Sequence, residues 1–335
     1  MKNLVRALSL AALCFAVGEA GAQSPSTGSG PSAGSGAWPT RPIRVIVSFA
    51  AGSAPDIICR FVTDRLSRVV GQQVVVDNRP GGGNLIAAQA AARSAPDGYN
   101  YFCVTAATLV SNPYTFKSLP YDPVKDFTPV AMIVKGPFFV LVHPSIPVKT
   151  LGELVAYDKA NPRKLSYATD GLRNFTGMMA AWLNKISGAD ILTVPYNVMP
   201  QGIQDTLAGR TQLVILAVPA AGPRIKSGEL RPLAVSYAKR IPGYEDVPTI
   251  AETYPGFEYI GWFALVAPAG TPAEVVQRVN REMDRVLKDP ETVQRLRDLG
   301  FYTEGAETPE ALGEYIRAEL AKWGRIVKEI GIQPE

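Results

Sequence analysis

The chain has 335 residues, 47% hydrophobic and 19% charged, with a formal net charge of +4. That is enough chain and apolar content for one large or two medium domains with a real core. The small positive excess is spread along the chain, with no basic block interleaved with aromatics, so nucleic acid is excluded as an expected partner.

The first residues read as a secretory leader. Lys2 and Arg6 give a positive start, Leu8 to Val17 a short apolar segment, and Ala20-Gly21-Ala22 a small-residue cleavage site. A signal peptide over 1–22, cut after Ala22, places the mature chain in the periplasm. Cys14 is a poor lipid-anchor site because bulky Leu13 precedes it. Residues 23–37 are rich in Ser, Gly and Pro, a flexible linker. Gly30-Pro31-Ser32-Ala33-Gly34 inside it matches G-x-S-x-G, but no strand can precede it and no helix can follow, so it is no nucleophile elbow. No later segment carries about 18 uninterrupted apolar residues, the length that spans a bilayer.

Short apolar runs then recur at 44–49, 74–76, 101–104, 138–142, 191–194, 213–218 and 232–236. They are rich in Val, Ile and Leu with little polar alternation, the pattern of strands covered on both faces. Helical segments alternate with them, and Gly71, Gly209 and Gly228 stand where helices or turns should stop. The fold class is α/β, with mainly parallel sheets flanked by helices. Thr150-Leu-Gly-Glu153 and Thr271-Pro272-Ala-Glu274 read as capping boxes, and Asp289-Pro290 and Thr308-Pro309 as cap-plus-Pro helix starts. Leu312, Ile316, Leu320, Trp323, Val327 and Ile330 lie on one apolar face of a last helix that docks on a sheet. So many strands predict two sheets. A crossover near Gly136-Pro137 and a return near Ile260-Gly261-Trp262 divide the chain into domain one, 39–138 plus 262–335, and domain two, 139–261. A cleft between two such domains is a common ligand site.

The unit from Pro42 to Tyr99 is strand, turn, helix, strand. Its turn, Ala50-Ala51-Gly52-Ser53-Ala54-Pro55-Asp56, opens a helix N-terminus suited to a small anion. Ser53 and Asp56 fit both a capping pair and ligand contacts. Gly81-Gly82-Gly83-Asn84 lacks the Lys-Ser/Thr of a phosphate loop and reads as a tight connection whose backbone faces the cleft. Thr105, Thr108 and Ser111 follow the strand 101–104, and loops at the carboxyl ends of parallel strands face the ligand crevice. Tyr196 offers a hydroxyl to a ligand or packs as an aromatic. His143 is the single histidine, so zinc centres and His-dependent triads are hard to build, and no catalytic residue, metal or cofactor is expected. Cys59 and Cys103 fit either a disulfide or two buried small hydrophobes.

Dispersed, ordered strings carry a family resemblance. They include Trp38-Pro39-x-x-Pro42-Ile43-Arg44, Asn78-Arg79-Pro80-Gly81, Pro96-Asp97-Gly98-Tyr99, Leu119-Pro120-Tyr121-Asp122-Pro123 and Val194-Pro195-Tyr196. Further on stand Gly228-Glu229-Leu230-Arg231-Pro232-Leu233-Ala234-Val235, Asp246-Val247-Pro248-Thr249, Pro255-Gly256-Phe257-Glu258 and Ala267-Pro268-Ala269-Gly270-Thr271-Pro272. The mature chain resembles the tripartite tricarboxylate transporter receptors, the extracytoplasmic solute-binding proteins known as Bug receptors. The resemblance implies a two-domain periplasmic-binding-protein (Venus-flytrap) fold. It also implies capture of a small organic acid or related metabolite in the interdomain cleft, and delivery to the membrane permease subunits of a secondary transporter.

The family's ligand loops carry over in part. The first, usually P-F-x-P-G-G-x-x-D, is here Ser48-Phe49-Ala50-Ala51-Gly52-Ser53-Ala54-Pro55-Asp56, with Ser53 at the second Gly. The domain-two loop, usually Y-G-S-x-G-x-G-S-x-x-H, is Tyr167-Ala168-Thr169-Asp170-Gly171-Leu172-Arg173-Asn174-Phe175-Thr176-Gly177. Arg173, Asn174 and Gly177 replace the usual Gly, Ser and His. With the loop positions read from the residues themselves, the candidate ligand contacts are Phe49, Ala51, Gly52, Ser53, Asp56, Asn84, Thr105, Thr108, Thr169, Gly171, Arg173, Asn174 and Tyr196. Arg173 could clamp a carboxylate through two parallel hydrogen bonds. A monomeric receptor is expected. A ligand-sensing partner of a signalling system is the alternative, since it too reads out closure. A secreted α/β hydrolase is disfavoured, because His143 would have to reach Ser53 across the structure.

Overall fold

A computed structural model describes residues 38–334, so the leader and linker expectations lie outside the described residues. The first strands are β1 (Ile43–Val47), β2 (Val74–Asn78) and β3 (Asn100–Thr105), separated by helices α1 (Ala54–Val70) and α2 (Leu85–Ala92). A π-helical turn, Ala107–Ser111, runs into α3 (Asn112–Thr115), then comes the long β4 (Phe127–Gly136). Only Pro137 separates β4 from β5 (Phe138–Val142). The second half holds α4 (Leu151–Ala160), β6 (Ser166–Thr169), α5 (Phe175–Ser187), β7 (Leu192–Pro195), α6 (Met199–Leu207), β8 (Leu213–Ala217), α7 (Val218–Lys226), β9 (Arg231–Val235) and α8 (Ile250–Thr253). The chain returns through β10 (Gly261–Pro268) and ends in α9 (Ala273–Lys288), α10 (Pro290–Asp298) and α11 (Pro309–Ile330).

These strands build two five-stranded sheets, ordered β2-β1-β3-β10-β4 and β7-β6-β8-β5-β9. The expected two-sheet α/β architecture is there, but the sheets are mixed where mainly parallel ones were expected. In the first, β1 pairs parallel with β2 and β3, whereas β10 runs antiparallel to β3 and β4. In the second, β6 pairs parallel with β7 and β8, whereas β5 runs antiparallel to β8 and β9. The cause is the direct passage between sheets. Parallel pairing needs a crossover that returns the chain to the same end. β5 and β10 instead enter their sheets straight from the other one, and so run the opposite way.

That topology aims the loops. β10 begins at Gly261 opposite Gly136, the last residue of β4, and its Phe263 lies opposite Thr105, the last of β3. The carboxyl ends of β1, β2 and β3 therefore all lie at the crossover. Likewise β5 begins with Phe138 opposite Ala217, the last residue of β8, which puts the ends of β6, β7 and β8 at the same place.

The core continues through the crossover. Buried Val275, Val276, Val279, Met283, Val286 and Leu287 give α9 one apolar face on the first sheet, each side chain contributing about 1.5–3 kcal/mol by its burial. A second cluster runs from Ile46 and Phe102 through Trp262, Trp323 and Tyr259 to Met178 and Leu213, so the two sheets share apolar packing. α11 docks on β4, as expected of the last helix, and also reaches α5: the Trp323 ring lies 5.9 Å from Phe175, and Trp182 donates to Glu329 at 3.2 Å. No helix of the described residues is long and apolar enough to cross a membrane. Cys59 and Cys103 are both buried with free thiols. The hydrogen bond to Cys103, and then burial, push the Cys59 thiol well up.

The caps largely follow the sequence. The side chains of Thr150, Asp289 and Thr308 accept from N–H groups of the first turns of α4, α10 and α11. The Thr271 box does not form. Its hydroxyl donates instead to Pro268 O at 2.7 Å, closing a turn, and α9 starts after Pro272 without a side-chain cap.

Candidate functional site

The turn between β1 and α1 is held by Asp56. This carboxylate is 1% exposed. It accepts from Gly52 N–H at 2.8 Å, Asn78 Nδ2 at 2.7 Å and Arg60 Nε at 2.9 Å. Burial pushes its pKa up, but the bonds from Asn78, Arg60 and Gly52 outweigh it and hold the group below the usual carboxylate value. Ser53 occupies the N-cap of α1, yet its hydroxyl donates back to Ala50 O at 2.7 Å, so the expected capping pair does not form. Asn78 also donates to Phe49 O at 2.9 Å, locking the loop from the neighbouring strand. Phe49 is half-buried, and Ala51 and Gly52 are exposed along the turn.

Across the crossover, Asp170 organises the loop between β6 and α5. Its Oδ1 accepts from Thr176 N–H at 3.2 Å, the Thr176 hydroxyl at 2.6 Å and Gly177 N–H at 3.3 Å, satisfying the start of α5. Asn174 donates to Asp170 O at 2.6 Å. Gly171 lies so close to the helix that a Cβ on Gly177 would meet Gly171 O at 2.0 Å. The loop rests on the helix, in space that a side chain at 177 would fill. This accounts physically for the departure from His at that position.

Between the two sets of loops lies a cavity of about 300 Å³. Of the residues singled out in the sequence, Asn84, Arg173 and Asn174 line it, and Ser111 joins them. Arg173 and Asn174 are exposed, and Asn84 sits in a left-handed conformation (φ 77°) that turns the chain into α2. Gly83, from the glycine turn expected to face the cleft, and Asn112 also contribute, as do Phe116, Phe175 and Met178, which were not expected. Asn112 donates to Gly83 O at 2.8 Å, which ties α3 to the glycine turn. The pairs Asn112-Pro113 and Asn174-Phe175, beside recognised loop residues, were the available signals.

The remaining candidates lie elsewhere around the crevice. Phe49, Ala51, Gly52, Ser53, Asp56 and Gly171 belong to the flanking turns. Thr105 and Thr108 are buried with their hydroxyls 3.2 Å apart, and Tyr121 donates to Thr108 O at 2.6 Å, so both face the interior. Thr169 is fully buried at the end of β6, and its hydroxyl, like that of Ser48 after β1, has no hydrogen-bond partner among the described residues. Tyr196 donates to Asp205 at 2.8 Å and packs over Gly202. Burial and the Asp205 carboxylate raise its pKa. His143 lies beyond the far end of β5, away from the crevice, bonded to Ser145 at 2.7 Å, which separates it from Ser53. Among the described residues no group of three or more His, Cys, Asp or Glu could hold a metal. A wider groove of about 550 Å³ lies on the flank between Pro219, Tyr244, Arg297 and Tyr302, outside the loops at the ends of β1 to β3.

Similar proteins bear on this geometry. A UPF0065 protein of Bordetella bronchiseptica is 34% identical over 304 residues, covering 91% of this chain and 90% of that protein. The structure "R. palustris Rpa4515 with adipate" superimposes with a TM-score of 0.74 at 35% identity, covering 89% of this chain and 100% of that one. The Rhodopseudomonas palustris protein MatC (Rpa3494), with bound malate, gives a TM-score of 0.69 at 29% identity, covering 87% and 100% of the two chains. The profile described as "Tripartite tricarboxylate transporter family receptor" matches residues 58–332. With the two-sheet α/β fold and a cavity between loops of both sheets, the chain belongs to the tripartite tricarboxylate transporter receptor family.

Proposed function

We propose that this chain is a periplasmic solute-binding receptor. It captures a small carboxylate between its two sheets and hands it to the permease subunits of a tripartite tricarboxylate-type transporter. It is a receptor rather than an enzyme. The observation that carries this reading is the cavity wall. It holds one cation, Arg173, and the amides of Asn84, Asn112 and Asn174, and among the described residues no Asp or Glu lines it. A guanidinium with neutral donors suits an anion, and a carboxylate matches its planar fork. The adipate and malate in related structures support the same class. Residues 39–138 with 262–335, and residues 139–261, act as two domains that close on the ligand about the crossover. Export with removal of residues 1–22 places the receptor where it meets its solute.

The test is a panel of organic acids, read by thermal unfolding and calorimetry on the mature chain. A ligand at 100 times its Kd stabilises the native state by about 2.7 kcal/mol, an easily measured rise in Tm. Arg173→Ala should weaken the acid by about 1.5–3 kcal/mol, the range for hydrogen bonds to charged groups. A broad panel that leaves Tm unmoved, or an Arg173→Ala variant of unchanged affinity, overturns the proposal.

A further inference from the structure

The cavity wall says more about the acid than that it is one. We infer that the preferred occupant carries a single carboxylate on a flat apolar body, an aromatic monocarboxylate. This rests on the carboxylate-receptor reading above and deepens it.

Two aromatic residues, Phe116 and Phe175, line the cavity from opposite sides of the crossover. Phe116, just after α3, is half-exposed, and its ring tip would meet a Cβ on Gly83 at 2.7 Å. The missing side chain at Gly83 is the seat of that ring. Phe175 opens α5 and is also half-exposed. It is fixed from behind, edge-on to Tyr259 at 4.6 Å and against Phe138 at 4.8 Å. Its carbonyl accepts the Tyr259 hydroxyl at 3.0 Å. Neither ring needs to rearrange to present its apolar surface, so a ligand that covers them gains contact without ordering cost. Offset or edge-to-face packing on such rings favours another ring over an alkyl chain. Met178 adds a polarizable thioether to the same wall.

The charges select in the same direction. Arg173 is the one cation lining the cavity among the described residues, and a single guanidinium fork suits one carboxylate. Among the described residues a second carboxylate would meet amides, hydroxyls and apolar groups, and desolvating it there is unfavourable. An amino acid fares worse, because among the described residues no Asp or Glu side chain lines the cavity to receive its ammonium group. A volume of about 300 Å³ accommodates a substituted benzene ring with its carboxylate.

Calorimetry on the mature chain with benzoate, phenylacetate, cyclohexanecarboxylate, adipate, malate and phenylalanine tests this. The aromatic monoacids should bind at least tenfold tighter than adipate, malate and phenylalanine. Phe116→Leu should weaken phenylacetate about tenfold and cyclohexanecarboxylate much less. Adipate or malate binding tighter than the aromatic acids, with Arg173→Ala still weakening them, overturns this inference and leaves the carboxylate reading intact. Unchanged phenylacetate affinity in Phe116→Leu also overturns it, and the wild-type ranking decides the matter if that variant fails to fold. No binding of any acid overturns the receptor reading and this inference with it.

Discussion

Replacing Gly177 by Ala probes the seat of the Arg173 loop. In an ordinary helix Ala is better than Gly by about 1 kcal/mol. Here the added Cβ would lie 2.0 Å from Gly171 O, 2.7 Å from Gly171 C and 3.0 Å from Leu172 Cα. All three are backbone atoms, so no rotamer change relieves the clash. Tight contact begins near 3.4 Å, so the loop must retreat by about 1.4 Å. That retreat pulls Asp170 off the Thr176 and Gly177 donors and draws Arg173 and Asn174 from the cavity wall. Overpacking costs about 1–3 kcal/mol, and loss of the cap about 1 more. Against the helix-propensity gain, the net expectation is a loss of about 1–3 kcal/mol in urea unfolding. Calorimetry should show at least a tenfold loss of affinity for the bound acid. A variant as stable as the parent, with the same affinity, would refute the claim that the loop is seated on Gly177.

Asp56→Ala removes the buried acceptor shared by Gly52 N–H, Asn78 and Arg60. It should cost about 2–4 kcal/mol in urea unfolding, from donors left unsatisfied; a change below about 0.5 kcal/mol would contradict the structural role. Glu252 closes a capping box with Thr249 and also pairs with Arg240 at 2.7 Å. The Arg240 hydrogen bond and the Thr249 N–H lower its pKa from 4.5 to about 2. A depressed carboxylate stabilises the fold above its unfolded pKa and loses that contribution as pH falls through its folded one. The stability difference between the parent and Glu252→Gln should therefore be full above pH 4.5 and fade by about pH 2. A difference independent of pH over that window would show that the Arg240 pair does not set it.

Much of the fold was legible because it is local. Five-residue Val- and Ile-rich runs became β1, β5 and β8, and cap residues three positions from their N–H partners started α4, α10 and α11. β6 was hidden because it has four residues, two of them Ser and Thr. The unbroken run Val130–Val134 in β4, and Thr249-Ile-Ala-Glu252 at the start of α8, are further local signals for a strand and a helix start. The candidate site was legible where a loop follows a strand, as at Asn84, Arg173 and Asn174. It was illegible where function depends on what a side chain turns toward, as for Thr108 and Tyr196, whose polar atoms face the interior and Asp205.

The sequence by itself determined the alternation of strands and helices and the kind of protein, because periodicity, caps and ordered motifs act over a few residues. Tertiary structure alone decided the direction of β5 and β10, since that follows from which sheet the chain arrives from. It alone committed Asp56 to Asn78, 22 residues away, and laid Gly171 against Gly177. Those contacts join segments whose meeting depends on the whole chain, and they set which side chains reach the cavity.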